Sequence, residues 1–120
     1  MSVFIDTVTI DCTDPRTVAE FWLALLDYRI VPNLTGSIQT ADPDGRGPRI
    51  LFTPAGSPKK AKNRLHFDLR PDDQARTIAR ALELGASRVN IGQTGDESWV
   101  VLADPEGNEF CVLQSGPDRP

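Results

Sequence analysis

The sequence has few of the residues that usually build metal and redox sites. Its 120 residues contain one histidine, His66, and two cysteines, Cys12 and Cys111. A single histidine excludes any site that needs two histidines from one chain, such as HExxH or the two-His, one-carboxylate iron triad. Two cysteines make at most one disulfide, and the first residues lack the basic and apolar segments of an export signal. We therefore expect reduced thiols and a cytoplasmic location.

Excess positive charge and long hydrophobic runs are also absent. Lys and Arg number 13 against 17 Asp and Glu, a formal net charge of −4, so no strong positive field is available for a phosphate backbone. The longest apolar runs are far too short to span a membrane. GxGxxG, Walker A and GxSxG motifs are missing. We expect no nucleic acid partner, no membrane partner and no nucleotide fold.

What the sequence does contain is an ordinary globular composition, 39% hydrophobic and 25% charged. Apolar and β-branched residues alternate as in strands near 3–12, 49–53, 64–70 and 109–114. Helical spacing of apolar residues, with Asp and Pro start signals, predicts helices near 15–26 and 72–84. Shorter strands are predicted at 28–31, 37–41, 87–92 and 97–103. The order of elements is therefore β-α-β-β-β twice.

The two copies share a turn as well as an order of elements. Residues 41–45 and 103–107 match at every position except Asp44 and Glu106, about sixty residues apart. Between the copies, residues 54–63 are rich in turn formers and lysine and are the best linker, with Lys59 in a solvated loop. We predict one α+β domain over 1–116, with module one near 1–57, module two near 62–116 and a loose tail at 117–120.

Strand alternation assigns side chains to two faces. In the first strand Phe4, Val8 and Ile10 share one face, while Thr7, Thr9 and Asp11 share the other. In 64–70 the apolar set is Leu65, Phe67 and Leu69, so His66 and Asp68 point the opposite way. We expect the apolar faces to pack on the helices. Cys12 is on a helix-facing side and is expected to be inert packing.

Three segments carry a resemblance to a known family: 11–15 with Phe21 and Trp22, 62–69, and 102–113. Together they resemble the vicinal oxygen chelate superfamily, in particular its glyoxalase-like domains. The resemblance implies two βαβββ modules that form a curved mixed sheet around a cleft, with helices outside. It also implies a range of functions, from isomerases, dioxygenases and lyases to bleomycin-resistance-type binding proteins, so it does not fix the chemistry. Asp27 stands where similar sequences usually place glycine.

The resemblance also assigns the metal-ligand positions of metal-dependent members. These fall on Thr7, His66 and Cys111, and on the strand 49–53, which offers no carboxylate or imidazole. Only His66 is an ordinary ligand, and hard ions disfavour a thiol at Cys111. We therefore expect no metal and no cofactor; a divalent metal bound through His66 is the alternative.

The cleft implied by the resemblance would be lined by Thr7, Thr9, Asp11, His66, Asp68, Trp99 and Cys111, with Glu109 beside Cys111. The first hypothesis is a metal-free protein that binds a small-molecule ligand. The alternative is a lyase, isomerase or dehydratase whose catalytic residues are His66 and Asp68, or His66 and Cys111. A third reading is a structural module without a ligand. We also expect a homodimer, because sheet edges need covering.

Each candidate residue also has a simpler explanation. His66 would then be a structural remnant that is hydrogen-bonded to Asp68, and Cys111 a small buried residue. Asp11 would accept hydrogen bonds at the end of its strand. Trp99 either stacks on a flat ligand or fills the interior.

Overall fold

The computed structural model describes residues 2–32, 36–90 and 97–116. The chain forms two compact units, Met1–Pro58 and Lys59–Pro120. The first contains β1 (Thr7–Cys12), α1 (Pro15–Leu26), β2 (Arg29–Val31), β3 (Ile38–Ala41) and β4 (Arg49–Pro54). The second contains β5 (Phe67–Leu69), α2 (Gln74–Glu83), β6 (Ser87–Arg88), β7 (Val100–Ala103) and β8 (Glu109–Val112). The predicted α+β class and the duplicated βαβββ order are confirmed.

Each unit contains one mixed four-stranded sheet with the same topology. The strand orders are β1-β4-β3-β2 and β5-β8-β7-β6. In each sheet the first and last strands of the module run parallel, and the other neighbours are antiparallel. A parallel neighbour requires a crossover, which the helix after the first strand supplies. Within the described residues, no helix has the length and apolarity needed to cross a membrane.

In the first unit, α1 begins where the sequence predicts. The Asp14 carboxylate accepts hydrogen bonds from the Thr17 amide (3.3 Å) and hydroxyl (2.7 Å), and Pro15 occupies the first helical turn. The helix ends at Asp27, which adopts a left-handed conformation with φ 58°. Its buried residues, including Phe21 and Trp22, lie on the side that packs against β1, β3 and β4.

In the second unit, α2 is two residues shorter at its start than predicted. Asp73 caps it by accepting from the Arg76 amide (3.1 Å), so the first helical residue is Gln74. Gly85 follows the helix with φ 117°, a conformation that favours glycine. The apolar residues of the neighbouring strand β8, Phe110 and Val112, are fully buried.

The repeated turn forms in the same way in both units. Asp42 accepts hydrogen bonds from the amides of Asp44 (2.9 Å) and Arg46 (3.1 Å). Asp104, which is buried, accepts from the amides of Glu106 (2.9 Å) and Asn108 (3.0 Å). The side-chain carboxylate therefore satisfies the backbone of a tight turn in each case, which explains why the same residue types recur.

Several predicted strands are shorter in the structure. β1 begins at Thr7, which pairs with Arg49 at the start of β4. The Arg49 amide also donates a hydrogen bond to the Asp6 carbonyl (2.9 Å), whereas residues 3–5 are not part of any strand pair among the described residues. Phe4 is 80% exposed, and its predicted packing on α1 is wrong. β5 covers only Phe67–Leu69, opposite Phe110–Val112. Leu65 lies outside β5 and is 89% exposed, so its predicted packing is also wrong.

The remaining differences are at strand ends. β8 ends at Val112 rather than at residue 114, and β7 begins at Val100 rather than at residue 97. β6 covers Ser87–Arg88, so residues 89 and 90 of the predicted strand 87–92 are not part of a strand, and residues 91–92 lie outside the described part. The predicted loose tail at 117–120 also lies outside it.

Candidate functional site

Strand pairing in the second unit brings a histidine, an aspartate and a cysteine together. Asp68 in β5 stands opposite Cys111 in the parallel strand β8, so the two side chains share a face of the sheet. His66 lies directly before β5, and its Nε2 is 3.2 Å from Asp68 Oδ1. One side-chain donor atom from each of the three residues lies within 4.8 Å of the others. We call these three residues the Asp68 cluster.

The cluster is open to solvent at the edge strand and closed at the inner strand. The side chains of His66 and Asp68 are 38% and 53% exposed. Cys111 is buried, and its neighbour on β7, Val101, is buried as well. A small molecule therefore has direct access to the imidazole and the carboxylate, and less access to the sulfur.

The cysteine thiol is held in its protonated form. Burial raises the pKa of Cys111, and the charge and hydrogen-bonding capacity of Asp68 raise it further, while Lys62 lowers it in part. A thiol of raised pKa is a poor nucleophile at neutral pH. The prediction that Cys111 is a small buried residue is confirmed, and neither Cys12 nor Cys111 forms a disulfide.

A second carboxylate of this sheet, that of Glu109 in β8, is bound by the loop that precedes β5. Glu109 Oε2 is 2.9 Å from Lys59 Nζ, and its Oε1 accepts a hydrogen bond from the Asn63 amide (2.8 Å). The side chain of Glu109 is only 10% exposed. Burial on its own would raise the pKa of Glu109, but the hydrogen bonds from Asn63 and Lys59 outweigh it and hold that pKa below its ordinary range.

We call this arrangement the Lys59–Glu109 clamp. Sequence reasoning missed it, because Lys59 was expected to lie in a solvated loop and Glu109 to line a cleft. The available signal was a lysine-rich loop ahead of a strand whose parallel neighbour carries a glutamate. Contacts of this kind between a loop and a strand depend on the register in which β5 and β8 pair, and the sequence alone does not reveal that register.

The other predicted site residues belong to other segments of the chain. Thr7, Thr9 and Asp11 lie on one face of β1, in the first unit, and Asp11 Oδ1 accepts a hydrogen bond from the Thr53 hydroxyl (2.8 Å). Their predicted participation in one site with the Asp68 cluster stays a prediction. Trp99 is 43% exposed and precedes β7, so its predicted position on a strand is wrong. The predicted burial of Cys12 is confirmed.

The donor set of the Asp68 cluster is poorly matched to a hard divalent ion. Octahedral sites for such ions are built from carboxylate, carbonyl and water oxygens. The cluster offers one imidazole, one carboxylate already 3.2 Å from that imidazole, and one thiol, which is a soft donor rather than an oxygen ligand. The chain has no second histidine, and β4 has neither carboxylate nor imidazole. Absence of a metal remains the expectation for this cluster.

The sequence matches the model of the glyoxalase-like domain family over residues 7–113. This match spans both units, so the chain belongs to the glyoxalase-like domain family, and the resemblance inferred from the three segments is confirmed. No curated protein matches the sequence significantly.

Solved structures show the same fold at low sequence identity. The fosfomycin resistance protein FosX from Mesorhizobium loti has a TM-score of 0.70 and 15% identity, covering 97% of this chain and 94% of that one. A glyoxalase/bleomycin resistance protein/dioxygenase family enzyme from Burkholderia phytofirmans PsJN has a TM-score of 0.68 and 17% identity, and the alignment covers 89% of this chain and 94% of that one. TnmS3, an antibiotic binding protein from Streptomyces sp. CB03234, has a TM-score of 0.63 and 19% identity, and the alignment covers 96% of this chain and 98% of that one. Identities this low establish the fold alone.

Proposed function

We propose that this chain is a small-molecule-binding protein whose ligand contacts the Asp68 cluster, and that it works without a bound metal. The observation that carries the proposal is the donor set. An exposed imidazole and an exposed carboxylate offer hydrogen bonds to a ligand, while the third member of the cluster is a protonated thiol. The cluster retains binding chemistry while lacking the oxygen ligands that hard ions require.

Two structural relatives support a small-molecule ligand. One is described as an antibiotic binding protein and one as a fosfomycin resistance protein. The formal net charge of −4 argues against nucleic acid as the partner.

Two measurements on protein purified without chelator test this proposal. Elemental analysis is expected to find no stoichiometric nickel, zinc, iron or manganese. A broad ligand screen by thermal shift is expected to find compounds that raise the melting temperature, and His66→Ala or Asp68→Asn is expected to weaken that stabilisation. A stoichiometric metal that disappears in His66→Ala contradicts the metal-free part. A screen with no stabilising ligand contradicts the binding part.

A second candidate function is a lyase, isomerase or dehydratase, and the pairing of His66 with Asp68 favours it. A carboxylate that holds one imidazole nitrogen leaves the other nitrogen available for proton transfer. In this case Asp68 positions the ring and His66 moves the proton. Turnover of a stabilising compound, lost in His66→Ala and reduced in Asp68→Asn, supports the enzyme. Stabilisation without turnover supports the binding protein.

We further propose that the protein is a homodimer in the cytoplasm. The edge strands are β1 and β2 in the first sheet and β5 and β6 in the second. Exposed edge strands are usually paired with another strand or covered by another part of the protein. The exposed residues Val3, Phe4 and Ile5 give the first unit an apolar segment that a second copy would cover. The two cysteines form no disulfide, which is consistent with a reducing compartment. Light scattering tests the assembly: twice the 13.2 kDa of one chain is expected, and a mass of 13.2 kDa contradicts it.

A further inference from the structure

A short segment of the second unit is richer in positive charge than the chain as a whole. Residues 59–64 contain Lys59, Lys60, Lys62 and Arg64 and no acidic residue, whereas the whole chain has a formal net charge of −4. The segment lies before β5, the strand that carries Asp68. We call residues 59–64 the basic segment. Its position in the fold decides whether its charge can act on a ligand.

Glu109 holds the basic segment at two points. Its Oε2 is 2.9 Å from Lys59 Nζ, and its Oε1 accepts a hydrogen bond from the Asn63 amide (2.8 Å). The aliphatic part of Lys59 also lies beside the turn before β8, because a Cβ atom added at Gly107 would be 3.9 Å from Lys59 Cδ. The basic segment is therefore held against β8 by a carboxylate that is only 10% exposed.

The repeated fold does not itself require this clamp. Ile50 in β4 and Phe110 in β8 each pair with the residue two positions before the turn aspartate of their own unit, so the two are equivalent in the repeat. Arg49 precedes Ile50 and therefore occupies the position of Glu109. The first sheet has the same strand order with a cation at that position. The clamp is thus a feature of the second unit and its basic segment.

The clamp places the backbone of Lys62 beside the Asp68 cluster. Alternation along β8 puts Glu109 and Cys111 on one face, and Asp68 stands opposite Cys111. The peptide unit that donates to Glu109 joins Lys62 to Asn63, so the Lys62 Cα lies in the plane of the anchored amide. Consistent with this position, the positive charge of Lys62 acts on Cys111 and lowers the pKa of its thiol in part.

Lys62 differs from Lys59 in having no acidic partner. The charge of Lys59 is matched by Glu109. Lys62 is exposed, and it forms no ion pair with an acidic residue of 2–32, 36–90 or 97–116. An ammonium group donates charge-assisted hydrogen bonds to carboxylate and phosphate oxygens. Lys62 therefore offers an accessible, permanent positive charge at the edge of the Asp68 cluster.

We propose that the ligand of the Asp68 cluster carries an anionic oxygen group, such as a carboxylate or a phosphate, and that Lys62 binds this group. This inference rests on the proposed small-molecule function and names the charge of the ligand. His66 and Asp68 contact an uncharged polar part of the ligand. The Lys59–Glu109 clamp keeps the backbone of Lys62 on the same side of the sheet as those two residues.

Asp68 is the residue that argues for the opposite charge. Its side chain is 53% exposed and lies 3.2 Å from His66 within the cluster itself. A carboxylate at this position repels an anion and attracts a cation. If Asp68 governed the charge of the ligand, the site would prefer a cation, so the experiment includes a cationic probe.

The test compares three planar probes of nearly the same shape: benzoate, benzamide and benzamidinium, which are negative, neutral and positive. Each is titrated into the full chain, labelled with 15N, after treatment with EDTA that is then dialysed away, because EDTA is itself an anion. The titrations are done at about pH 8, where free imidazole is largely neutral. Amide chemical shifts report both affinity and location.

We expect benzoate to shift the amides of residues 61–63 and 109–111. It is expected to bind about three- to fivefold more tightly than benzamide, the range of a favourable ion pair exposed to solvent. Benzamidinium is expected to bind more weakly than benzamide. Added salt is expected to reduce the preference for benzoate, because salt screens exposed charges.

Four variants locate the charge. Lys62→Met removes the charge with little change in side-chain length and is expected to abolish the preference for benzoate over benzamide, whereas Lys62→Arg is expected to retain it. Lys60→Met and Arg64→Met remove the same charge from the neighbouring cations of the basic segment. They are the matched controls and are expected to retain the preference. The probe comparison on the unaltered chain remains decisive even if a variant folds poorly.

The outcomes that overturn the inference are distinct from those that overturn the proposed function. Equal binding of benzoate and benzamide, or a preference that survives in Lys62→Met, refutes anion binding by Lys62. Tighter binding of benzamidinium assigns the charge preference to Asp68 instead. An equal loss in Lys60→Met or Arg64→Met refutes a specific role for Lys62. If no probe shifts residues 61–63 or 109–111, the inference fails as well. In all these cases the broad thermal-shift screen still decides the proposed function.

Discussion

Replacement of His66 by alanine separates a ligand-binding role from a structural one. The side chains of His66 and Asp68 are 38% and 53% exposed, so their contact is a surface pair. Exposed pairs contribute about 0–1 kcal/mol, and truncation at such positions usually changes stability by about 0.5 kcal/mol. Because Asp68 is solvated, the variant leaves no buried charge. We expect His66→Ala to fold with nearly the stability of the unaltered protein.

Denaturant titration measures this change, and Glu109→Gln provides the internal comparison. Glu109 is 10% exposed and holds Lys59 and the Asn63 amide, so removing its charge affects a nearly buried pair. Loss of such charged hydrogen bonds costs about 1–3 kcal/mol. With a urea m-value of about 1.5 kcal/mol/M, the expected midpoint shifts are about 0.3 M for His66→Ala and roughly 0.7–2 M for Glu109→Gln.

The same titration can refute this reasoning. If His66→Ala lowers the midpoint as much as Glu109→Gln does, His66 is a structural hydrogen-bonding residue. If ligand affinity is also unchanged in the folded His66→Ala protein, the site role assigned to His66 is wrong. If Glu109→Gln shifts the midpoint no further than His66→Ala, the Lys59–Glu109 clamp contributes little to stability.

Three further predictions follow from individual residues. The lowered pKa of Glu109 contributes stability that is fully present above the pKa of the unfolded chain, about 4.3, and that is lost as the pH falls through the folded pKa. Acid unfolding of Glu109→Gln is expected to lack this loss, and acid unfolding curves identical to those of the unaltered protein contradict the prediction. Burial of Cys12 and Cys111 predicts slow alkylation by iodoacetamide in the native protein and fast alkylation in urea; native alkylation of Cys111 at the unfolded rate contradicts it. Asp27 has φ 58°, so Asp27→Gly is expected to raise stability by about 0.5 kcal/mol in thermal or denaturant unfolding, and a stability equal to or below that of the unaltered protein contradicts it.

Local patterns in the sequence determine the elements and their order. Asp14 followed by Pro15 predicts the start of α1, and the structure has the helix over Pro15–Leu26. The turns at Asp42 and Asp104 are predicted from residues within five positions of each other, because each carboxylate bonds the amides of its own turn. These features depend on neighbours in the chain, so the sequence alone contains the information.

Strand ends and side-chain exposure depend on neighbours that are remote in sequence. The alternation at 3–12 and 64–70 predicts longer strands than form, because β1 and β5 extend only as far as β4 and β8 pair with them. Leu65 and Phe4 are exposed for that reason, although their residue types favour burial.

The candidate site likewise combines features that the local sequence determines with features that only tertiary contacts determine. The sequence identifies His66, Asp68 and Cys111 as candidates through the alternation of residues 64–70 and through what the resemblance to the vicinal oxygen chelate superfamily implies. Only the parallel register of β5 and β8 places Asp68 against Cys111, and only the folded loop engages Glu109 through Lys59 and Asn63. Residue type determines which chemistry is available. Tertiary structure decides which charges are matched, because matching requires contacts between groups distant in the chain.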